Sequence, residues 1–159
     1  MPPAPVRAQR WDHRRAFTLV EIMVVVVIIG LLAVLAVAGL QRVRERTMIS
    51  RTANDLRAMA QAFEAYNLEN GAWPPDAAPG AIPSGMAGRL PAAWNQPPSV
   101  GGLWEWDYEP ATPLVSITLY QHRATLAQMT ALDRLIDDGN PSTGQFRING
   151  AEWNFRLTP

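Results

Sequence analysis

Residues 14–21 read Arg-Arg-Ala-Phe-Thr-Leu-Val-Glu, and they lead directly into residues 22–40, a run of nineteen residues without a charge. Nineteen helical residues span about 28 Å at 1.5 Å per residue, which is close to the ~30 Å hydrocarbon core of a bilayer. The stretch therefore predicts a membrane-spanning helix that carries a single carboxylate, Glu21, at its start.

Two ordinary interpretations of this segment leave part of it unexplained. The apolar region of a secretory signal peptide has only about 7–15 residues and ends at a small-x-small cleavage site. The run here is longer than that. A plain single-pass anchor accounts for the length but not for Glu21.

Residues 16–21, Ala-Phe-Thr-Leu-Val-Glu, together with the apolar run resemble the N-terminal segment of the type IV pilin-like family, which contains pilins and the pseudopilins of type II secretion. The resemblance implies that a prepilin peptidase cuts between Ala16 and Phe17, and that the new amino group of Phe17 is methylated. Residues 1–16 are then a cytoplasmic leader that is removed, and residues 17–40 form the transmembrane and assembly helix.

Glu21 has two interpretations. A carboxylate that enters hydrocarbon is costly unless it is neutralised or paired. The resemblance implies that Glu21 meets the terminal amine of Phe17 in a neighbouring subunit and so sets the register of a filament. The alternative is that Glu21 only complements the dipole at a helix N-terminus.

Arginines flank the apolar run on both sides and make its orientation ambiguous. They are Arg7, Arg10, Arg14 and Arg15 before it, and Arg42, Arg44 and Arg46 after it. Cytoplasmic flanks usually carry the excess of positive charge, so charge alone leaves the topology nearly undecided. The resemblance places the leader inside and residues 41–159 in the periplasm, in a single-pass inner-membrane protein.

Composition excludes several classes of function. Removing the leader leaves ten basic and thirteen acidic residues, a formal charge of −3, so no general binding of nucleic acid is expected. The chain has no cysteine, which excludes disulfides, cysteine-ligated zinc and cysteine nucleophiles. We identify no catalytic constellation and predict no enzyme, since no motif links His122 to a serine or a carboxylate.

A second helical pattern follows the apolar run. Apolar residues recur at spacings of three and four, which is typical of an amphipathic helix; they are Ile49, Ala53, Leu56, Met59, Ala60, Phe63 and Tyr66. Asn70-Gly71 and the prolines that follow predict its end. One helix from Phe17 to about Asn70 is therefore expected, about 80 Å long.

Residues 73–103 contain seven prolines and five glycines and predict a long loop. Pilin-like proteins have their variable connection at this place. The loop either carries partner specificity or only covers the sheet, and the sequence does not decide between them.

The remaining residues predict strands and one short helix. Trp104, Trp106 and Tyr108 alternate with polar residues, as do Val115, Ile117 and Leu119, which is strand periodicity. Thr125-Leu-Ala-Gln128 has the form of a capping box. It is expected to open a helix with one apolar side, formed by Leu126, Met129, Leu132 and Ile136.

Asn149-Gly150 predicts a type I′ hairpin that pairs Ile148 with Ala151, Arg147 with Glu152 and Phe146 with Trp153. The fold class that follows is α+β: a long N-terminal helix, its first half transmembrane, packed on a small antiparallel sheet of about four strands, pilin-like. The tryptophans are attributed to burial.

One stretch is a candidate for metal binding. Asp137, Asp138, Gly139 and Asn140 precede Ser142 and Thr143, and oxygen-rich turns suit calcium. The spacing does not match an EF-hand loop. A solvated acidic turn without a cofactor is the favoured interpretation, and calcium is the alternative.

The function implied by the resemblance is structural. The chain is expected to be a pseudopilin, major or minor, of a type II secretion-type pseudopilus or a type IV pilus-like filament. Its partners are copies of itself or other pseudopilins, the prepilin peptidase, an inner-membrane assembly platform and membrane lipid. The alternative is a membrane-anchored periplasmic binding or adhesion domain that does not polymerise, for example through the tryptophan-rich sheet.

Overall fold

In the computed structural model, residues 17–111 and 114–157 are described. Two α-helices, a short 3₁₀ helix and four strands follow one another along the chain. They are α1 (Leu19–Asn70), the 3₁₀ helix (Ala92–Asn95), β1 (Leu103–Glu109), β2 (Leu114–Tyr120), α2 (Leu126–Ile136), β3 (Phe146–Asn149) and β4 (Glu152–Arg156). The boundary between the two compact units falls after Leu40, and the second unit is Gln41–Pro159.

Helix α1 ends where the sequence predicts. Gly71 has a φ of +71°, a conformation that glycine adopts without steric cost, and its amide donates to the carbonyl of Asn67 at 2.8 Å. The side-chain amide of Asn70 donates to the Tyr66 carbonyl at 2.8 Å. Pro74 and Pro75 follow and lack the amides that a further turn requires.

The predicted antiparallel sheet of about four strands is confirmed, with the order β1-β2-β4-β3. Trp106 of β1 lies opposite Ile117 of β2, which lies opposite Phe155 of β4. The row continues to Phe146 of β3. Side chains of one row point to one face of the sheet, so this row contributes one buried residue from every strand.

The predicted hairpin exists, but its predicted register is wrong by two residues. Asn149 pairs with Glu152, Ile148 with Trp153 and Arg147 with Asn154. The two turn residues are therefore Gly150 and Ala151. A type I′ turn needs a positive φ at both turn residues, but here only Gly150 has one, at +65°. Glycine at the first turn position with an ordinary residue at the second is the pattern of a type II′ turn. A shift of two residues preserves the alternation, so Phe146 and Trp153 keep their predicted face.

The apolar stripe of α1 packs on this sheet, as predicted. Six of its seven predicted residues are buried and Tyr66 is partly buried. Phe63 stacks on Trp106 with ring centroids 3.8 Å apart and planes inclined by 5°, and it meets Trp94 edge-on at 5.6 Å. Burying an aromatic side chain this completely contributes about 1.5–3 kcal/mol relative to exposure, so this contact is a main attachment of the helix to the sheet.

Residues 73–103 form a loop that three buried tryptophans hold in place. The indole N–H groups of Trp94, Trp104 and Trp106 donate to the carbonyls of Ala81, Ala93 and Pro74, at 3.1, 3.1 and 3.0 Å. Buried indoles need such partners, and the loop carbonyls supply them. The loop also extends the sheet beyond β1, because the amides of Ala77 and Gly80 donate to β1 carbonyls.

The predicted capping box of α2 is confirmed, with Thr125 and Gln128 each accepting the other's backbone amide. Met129 and Leu132 are buried. The prediction that Leu126 shares their apolar face is wrong, since Leu126 is 63% exposed. Helical side chains tilt toward the N-terminus, so the side chain of the first residue extends past the end of the helix instead of along its face.

Replacing Phe63 by Ala in the outer domain, residues 41–159, is expected to lower the free energy of unfolding by about 3–5 kcal/mol. The reason is that the substitution leaves a cavity between Trp94 and Trp106. Urea denaturation measures this change. Glu64→Ala, at the exposed neighbouring position, is the control and should stay within about 0.5 kcal/mol of the wild type. Equal losses for the two variants would contradict the packing described here.

Candidate functional site

The N-terminal segment begins the described part of the chain. Ala16, the residue before the predicted cut, lies outside the described residues, and Phe17 is 77% exposed. Thr18 caps α1, because its hydroxyl accepts the amide of Glu21 at 3.2 Å. In return, the carboxylate of Glu21 accepts the amide of Thr18 at 3.3 Å. These two reciprocal hydrogen bonds form a capping box.

This capping box was not predicted, although Thr18-Leu-Val-Glu21 has the same signature as Thr125-Leu-Ala-Gln128. The box gives Glu21 a local structural role at the positive end of a helix dipole. The Glu21 carboxylate also lies next to the backbone of Thr18, the residue that follows Phe17. The predicted cleavage would create a free amine on Phe17. The interpretation of Glu21 as a complement to the helix dipole fits this geometry, and its pairing with the amine of a neighbouring subunit stays a prediction.

The helix after Glu21 is apolar on all sides, and no protein surface covers the side chains that are described. The large apolar side chains between Phe17 and Leu40 range from 48% exposed at Val25 to 82% exposed at Leu19. A window of eighteen residues has a mean hydropathy of 3.1. By length and composition, this part of α1 can cross a membrane.

Four of the five tryptophans of the outer domain are buried, as predicted, and Trp73 is partly buried. Trp94, Trp104, Trp106 and Trp153 are each no more than 2% exposed. Flat sugar rings and bases stack on exposed aromatic faces. These four side chains therefore offer no such platform in the described domain.

The acidic turn after α2 gains a residue that sequence analysis did not single out. The carboxylates of Asp133, Asp137 and Asp138 bring one oxygen each to within 4.8 Å of the others. Asp133 and Asp137 are one helical turn apart, so their side chains lie on the same side at the end of α2. That spacing of four was the signal in the sequence.

The turn is internally hydrogen-bonded. The Asp138 carboxylate accepts the amide of Asn140 at 2.7 Å and the hydroxyl of Thr143 at 2.6 Å. The Asp137 carboxylate accepts the amide of Gln145. Gly144 has a φ of +78°, and a Cβ there would overlap the Asp137 carboxylate. The glycine therefore allows the backbone to approach the acidic group closely.

Asp133 is fully buried, and neither of its carboxylate oxygens has a hydrogen-bond partner. Burial, and next the negative charges of Asp138 and Asp137, raise the pKa of Asp133 to about 6. The backbone amide of Gly139 opposes this rise without completing a regular hydrogen bond. A buried carboxylate without a partner is costly, and a bound cation would remove that cost.

These residues fit a hard divalent cation. Calcium takes six to eight oxygen ligands, from carboxylates, carbonyls and water. The buried oxygens of Asp133 are free to bind, and Asp137 and Asp138 lie beside them. Their donor set is oxygen only, which suits calcium or magnesium better than a transition metal.

His122 lies just past the end of β2 and is partly buried. Its Nδ1 has no hydrogen-bond partner. No described serine, threonine or carboxylate makes a hydrogen bond with this ring, so it does not form part of a nucleophile–base pair within residues 17–111 and 114–157.

A family model described as the prokaryotic N-terminal methylation motif matches residues 11–37. The match covers the predicted processing site, Phe17 and Glu21. It ends before the outer domain begins at Gln41.

Curated relatives match the first part of the chain. Type II secretion system core protein G of Escherichia coli (strain K12) is 43% identical over 63 residues, which are 40% of this chain and 43% of that protein. The same protein of Pseudomonas aeruginosa is 43% identical over 62 residues, which are 39% of this chain and 44% of that protein. The fimbrial protein EcpC of Eikenella corrodens is 33% identical over 76 residues, which are 48% of this chain and 50% of that protein. The chain thus spans half or less of each relative's length.

The solved structure of the major type IV pilin PilA1 from Clostridium difficile matches with a TM-score of 0.53. The match covers 73% of this chain and 97% of that one, at 15% identity, and so concerns the fold alone. The methylation motif, the relatives and the fold together confirm the resemblance predicted from residues 16–40: the chain is similar to the type IV pilin-like family and, within it, to the pseudopilins of type II secretion.

Proposed function

We propose that this chain is a structural subunit, a major or minor pseudopilin, of a type II secretion-type pseudopilus or a type IV pilus-like filament. The observation that carries the proposal is the match of residues 11–37 to the N-terminal methylation motif. The fold of the outer domain supports it, because the same fold occurs in a major type IV pilin.

The proposal includes processing and orientation. A prepilin peptidase removes residues 1–16 by cutting between Ala16 and Phe17, and Phe17 is then methylated. The precursor crosses the inner membrane once, with the leader in the cytoplasm and residues 41–159 in the periplasm. An inner-membrane assembly platform then moves the subunit from lipid into the filament. No enzymatic activity and no nucleic acid belong to this function.

The exposed apolar helix supplies a physical reason for assembly. Side chains such as Leu19, Val20 and Leu31, each at least 65% exposed, need a lipid or protein environment. Neighbouring copies of the same helix offer one when the subunit leaves the bilayer. A charged Glu21 in that apolar surrounding needs a cation, and the Phe17 amine of a neighbour provides it.

The runner-up is a membrane-anchored periplasmic binding or adhesion domain that never polymerises. The buried tryptophans argue against an aromatic binding surface on the sheet. This alternative also leaves the cleavage motif without a purpose. It predicts that Glu21 matters only for the start of the helix, which gives an experiment that separates the two functions.

Two substitutions of Glu21 make that experiment. Glu21→Ala removes the charge and the capping box, while Glu21→Gln keeps a capping box and removes only the charge. A filament subunit should remain cleaved and membrane-resident in both variants, yet fail to enter the filament, because the neighbouring amine loses its partner. In-vivo crosslinking between N-terminal helices and the yield of sheared filaments measure assembly.

Membrane extraction and the mass of the mature chain are the controls, since both variants should match the wild type in them. Removing a charge from the apolar segment favours membrane insertion. If Glu21→Gln assembles as the wild type does and only Glu21→Ala is defective, helix capping is the role of Glu21. Normal assembly of both variants would show that assembly needs neither the charge nor the cap of Glu21, and absence of the wild-type chain from the filaments would favour the anchored-domain alternative.

For the outer domain we propose that the acidic turn binds a divalent cation, with calcium the expected one. The sequence alone favoured a solvated turn. The buried and unpartnered carboxylate of Asp133 now favours calcium, because a solvated turn leaves that group without compensation. The bound cation would neutralise Asp133, Asp137 and Asp138 and join the end of α2 to the following turn.

Calcium should raise the melting temperature of residues 41–159, since it binds the folded state preferentially. Asp133→Asn should abolish that rise. Differential scanning calorimetry measures the melting temperatures of the wild type and of Asp133→Asn, with a chelator and with millimolar calcium. The same measurement with magnesium tests whether the site prefers calcium. An equal rise in melting temperature in the wild type and in Asp133→Asn would show that calcium binds at a site other than the acidic turn.

Without a cation, Asp133 makes stability depend on pH. The pKa of Asp133 in the folded state, about 6, lies above its ordinary value of 3.8. Its contribution to the free energy of unfolding is therefore present below pH 4 and is lost as the pH rises through 6. The free energy of unfolding of the wild type relative to Asp133→Asn should therefore fall across this range. Burial and neighbouring carboxylates also raise the pKa of Glu105. Because Glu105 is present in both the wild type and Asp133→Asn, its effect cancels when the two proteins are compared. A constant difference from pH 4 to 7 would contradict the assignment.

A further inference from the structure

A short stretch of α1 between the apolar run and the core of the outer domain has no part in the proposed function. Residues 41–47 are all exposed, and the first buried residue after them is Ile49. We call these seven residues the collar. They include Arg42, Arg44, Arg46 and one glutamate, Glu45, so the formal charge of the collar is +2. Positive charge is usually scarce on the periplasmic side of a span, so its presence there needs a reason.

The collar arginines form no salt bridge within the described part of the chain. In residues 17–111 and 114–157, the salt bridge that forms joins Arg89 to Glu69, outside the collar. Arg51, one turn after the collar, is different. Burial raises the pKa of Asp55, and the positive charge of Arg51 lowers it, so these two groups act on each other. Arg51 is therefore left out of the collar.

The collar arginines surround the helix instead of sharing one side of it. An α-helix turns by about 100° per residue, so Arg42 and Arg46 lie on one side. Arg44 is about 200° from Arg42 and lies on the opposite side. A single protein partner covers one side of a helix, whereas a layer of lipid headgroups surrounds a helix that crosses it. The distribution of charge therefore favours lipid over a single protein partner.

The length of the collar is close to the thickness of a headgroup layer. Seven helical residues span about 10 Å. The polar layer on each side of a bilayer is about 5–8 Å thick, since a bilayer measures about 40–45 Å with its headgroups and about 30 Å without them. The apolar run of residues 22–40 ends at the residue before the collar and can cross the hydrocarbon by length and composition. When it does so, the collar follows directly in the headgroup layer.

The side chains of the collar suit that layer. Val43 lies between two arginines in the sequence and is 59% exposed. An arginine can keep its hydrocarbon stem beside acyl chains while its guanidinium reaches the polar layer. The guanidinium is a planar fork that binds two oxygens of one phosphate. Phosphates above acyl chains therefore match both the exposed valine and the arginines.

We propose that the collar binds the phosphates of anionic phospholipids through Arg42, Arg44 and Arg46. The proposal rests on the membrane span that the proposed function includes, and it goes beyond that function by naming a lipid partner. Phosphatidylglycerol represents the expected class, because its headgroup keeps a net negative charge. Phosphatidylcholine does not, because its choline group cancels the charge of the phosphate.

Such binding fixes the depth of α1 in the membrane. If the helix moved deeper, the guanidinium groups of the collar would enter hydrocarbon, where a charge is costly. If the helix moved outward, the phosphate contacts would break and apolar side chains such as Leu40 would meet water. The collar therefore holds an unassembled subunit at one depth.

Fluorescence quenching of the full-length chain in vesicles tests the proposal. The natural chain has no cysteine, so Val43→Cys places one fluorescent label within the collar. The vesicles contain equal parts of phosphatidylglycerol and phosphatidylcholine, and one lipid or the other carries a nitroxide quencher near its glycerol backbone. The two quenching curves give the local ratio of phosphatidylglycerol to phosphatidylcholine. This ratio should be about five or more, the factor expected from one arginine near an anionic surface, and should approach one in molar salt, which screens charge.

Substitutions in the labelled chain identify the groups responsible. The triple variant Arg42→Gln, Arg44→Gln and Arg46→Gln should bring the local lipid ratio close to one, because the positive charge is gone. Lysine at the same three positions should keep most of the ratio, since the charge remains. The matched control changes three exposed arginines outside the collar, by Arg89→Gln, Arg123→Gln and Arg134→Gln. It removes the same charge and should leave the ratio unchanged.

The outcomes separate this inference from the function on which it rests. An excess of phosphatidylglycerol that only the collar glutamines remove supports lipid binding, whether or not the chain forms filaments. A ratio of one with the natural arginines, or an excess that survives the collar glutamines, overturns lipid binding and leaves the filament function intact. A ratio of one, together with loss of sheared filaments from the glutamine variant, assigns the arginines to a protein partner and also overturns it. Failure of the full-length chain to insert into the vesicles overturns the membrane span and both proposals with it.

Discussion

Exposed apolar surface on one half of α1 is the constraint on which the rest of the structure depends. A helix with valine, isoleucine and leucine side chains on every side cannot stand in water, so lipid or other protein must cover it. The remaining half of the helix obeys a different rule. Its single apolar stripe is covered by the chain's own sheet, chiefly where Phe63 stacks on Trp106. A stable outer domain and an uncovered apolar segment can therefore coexist in one chain.

Charged residues are also distributed differently between the two halves of α1. Glu21 is the only charged residue between Phe17 and Leu40, and the capping box holds its carboxylate at the helix N-terminus. Apolar association has no direction, while charged groups at fixed positions select one arrangement among many.

Much of this fold follows from periodicity and turn chemistry. The stripe from Ile49 to Tyr66, the tryptophan-containing face of β1 and the capping box at Thr125 each rest on local rules that the tertiary structure does not override. The hairpin register was missed because Asn-Gly and Gly-Ala both suit two-residue turns, and the choice between them depends on the backbone at a single residue, Gly150.

The candidate site was less predictable, since its properties depend on burial. Asp133 looks like any helical aspartate in the sequence, and only packing shows that its carboxylate is buried without a partner. The position of Asp76, whose carboxylate accepts the amide of Tyr108, depends likewise on a loop that docks beside β1. The Thr18–Glu21 capping box, in contrast, was present as a signature and was overshadowed by the apolar run that follows it.

The most direct measurement of the central claim is mass spectrometry of the chain recovered from sheared filaments of cells that produce the complete secretion or pilus apparatus. A processed filament subunit gives a mature chain in that fraction that begins at Phe17, carries a methyl group on its terminal amine and lacks residues 1–16. A chain that is absent from the filament fraction, or that retains Met1 and remains in the membrane, would contradict it.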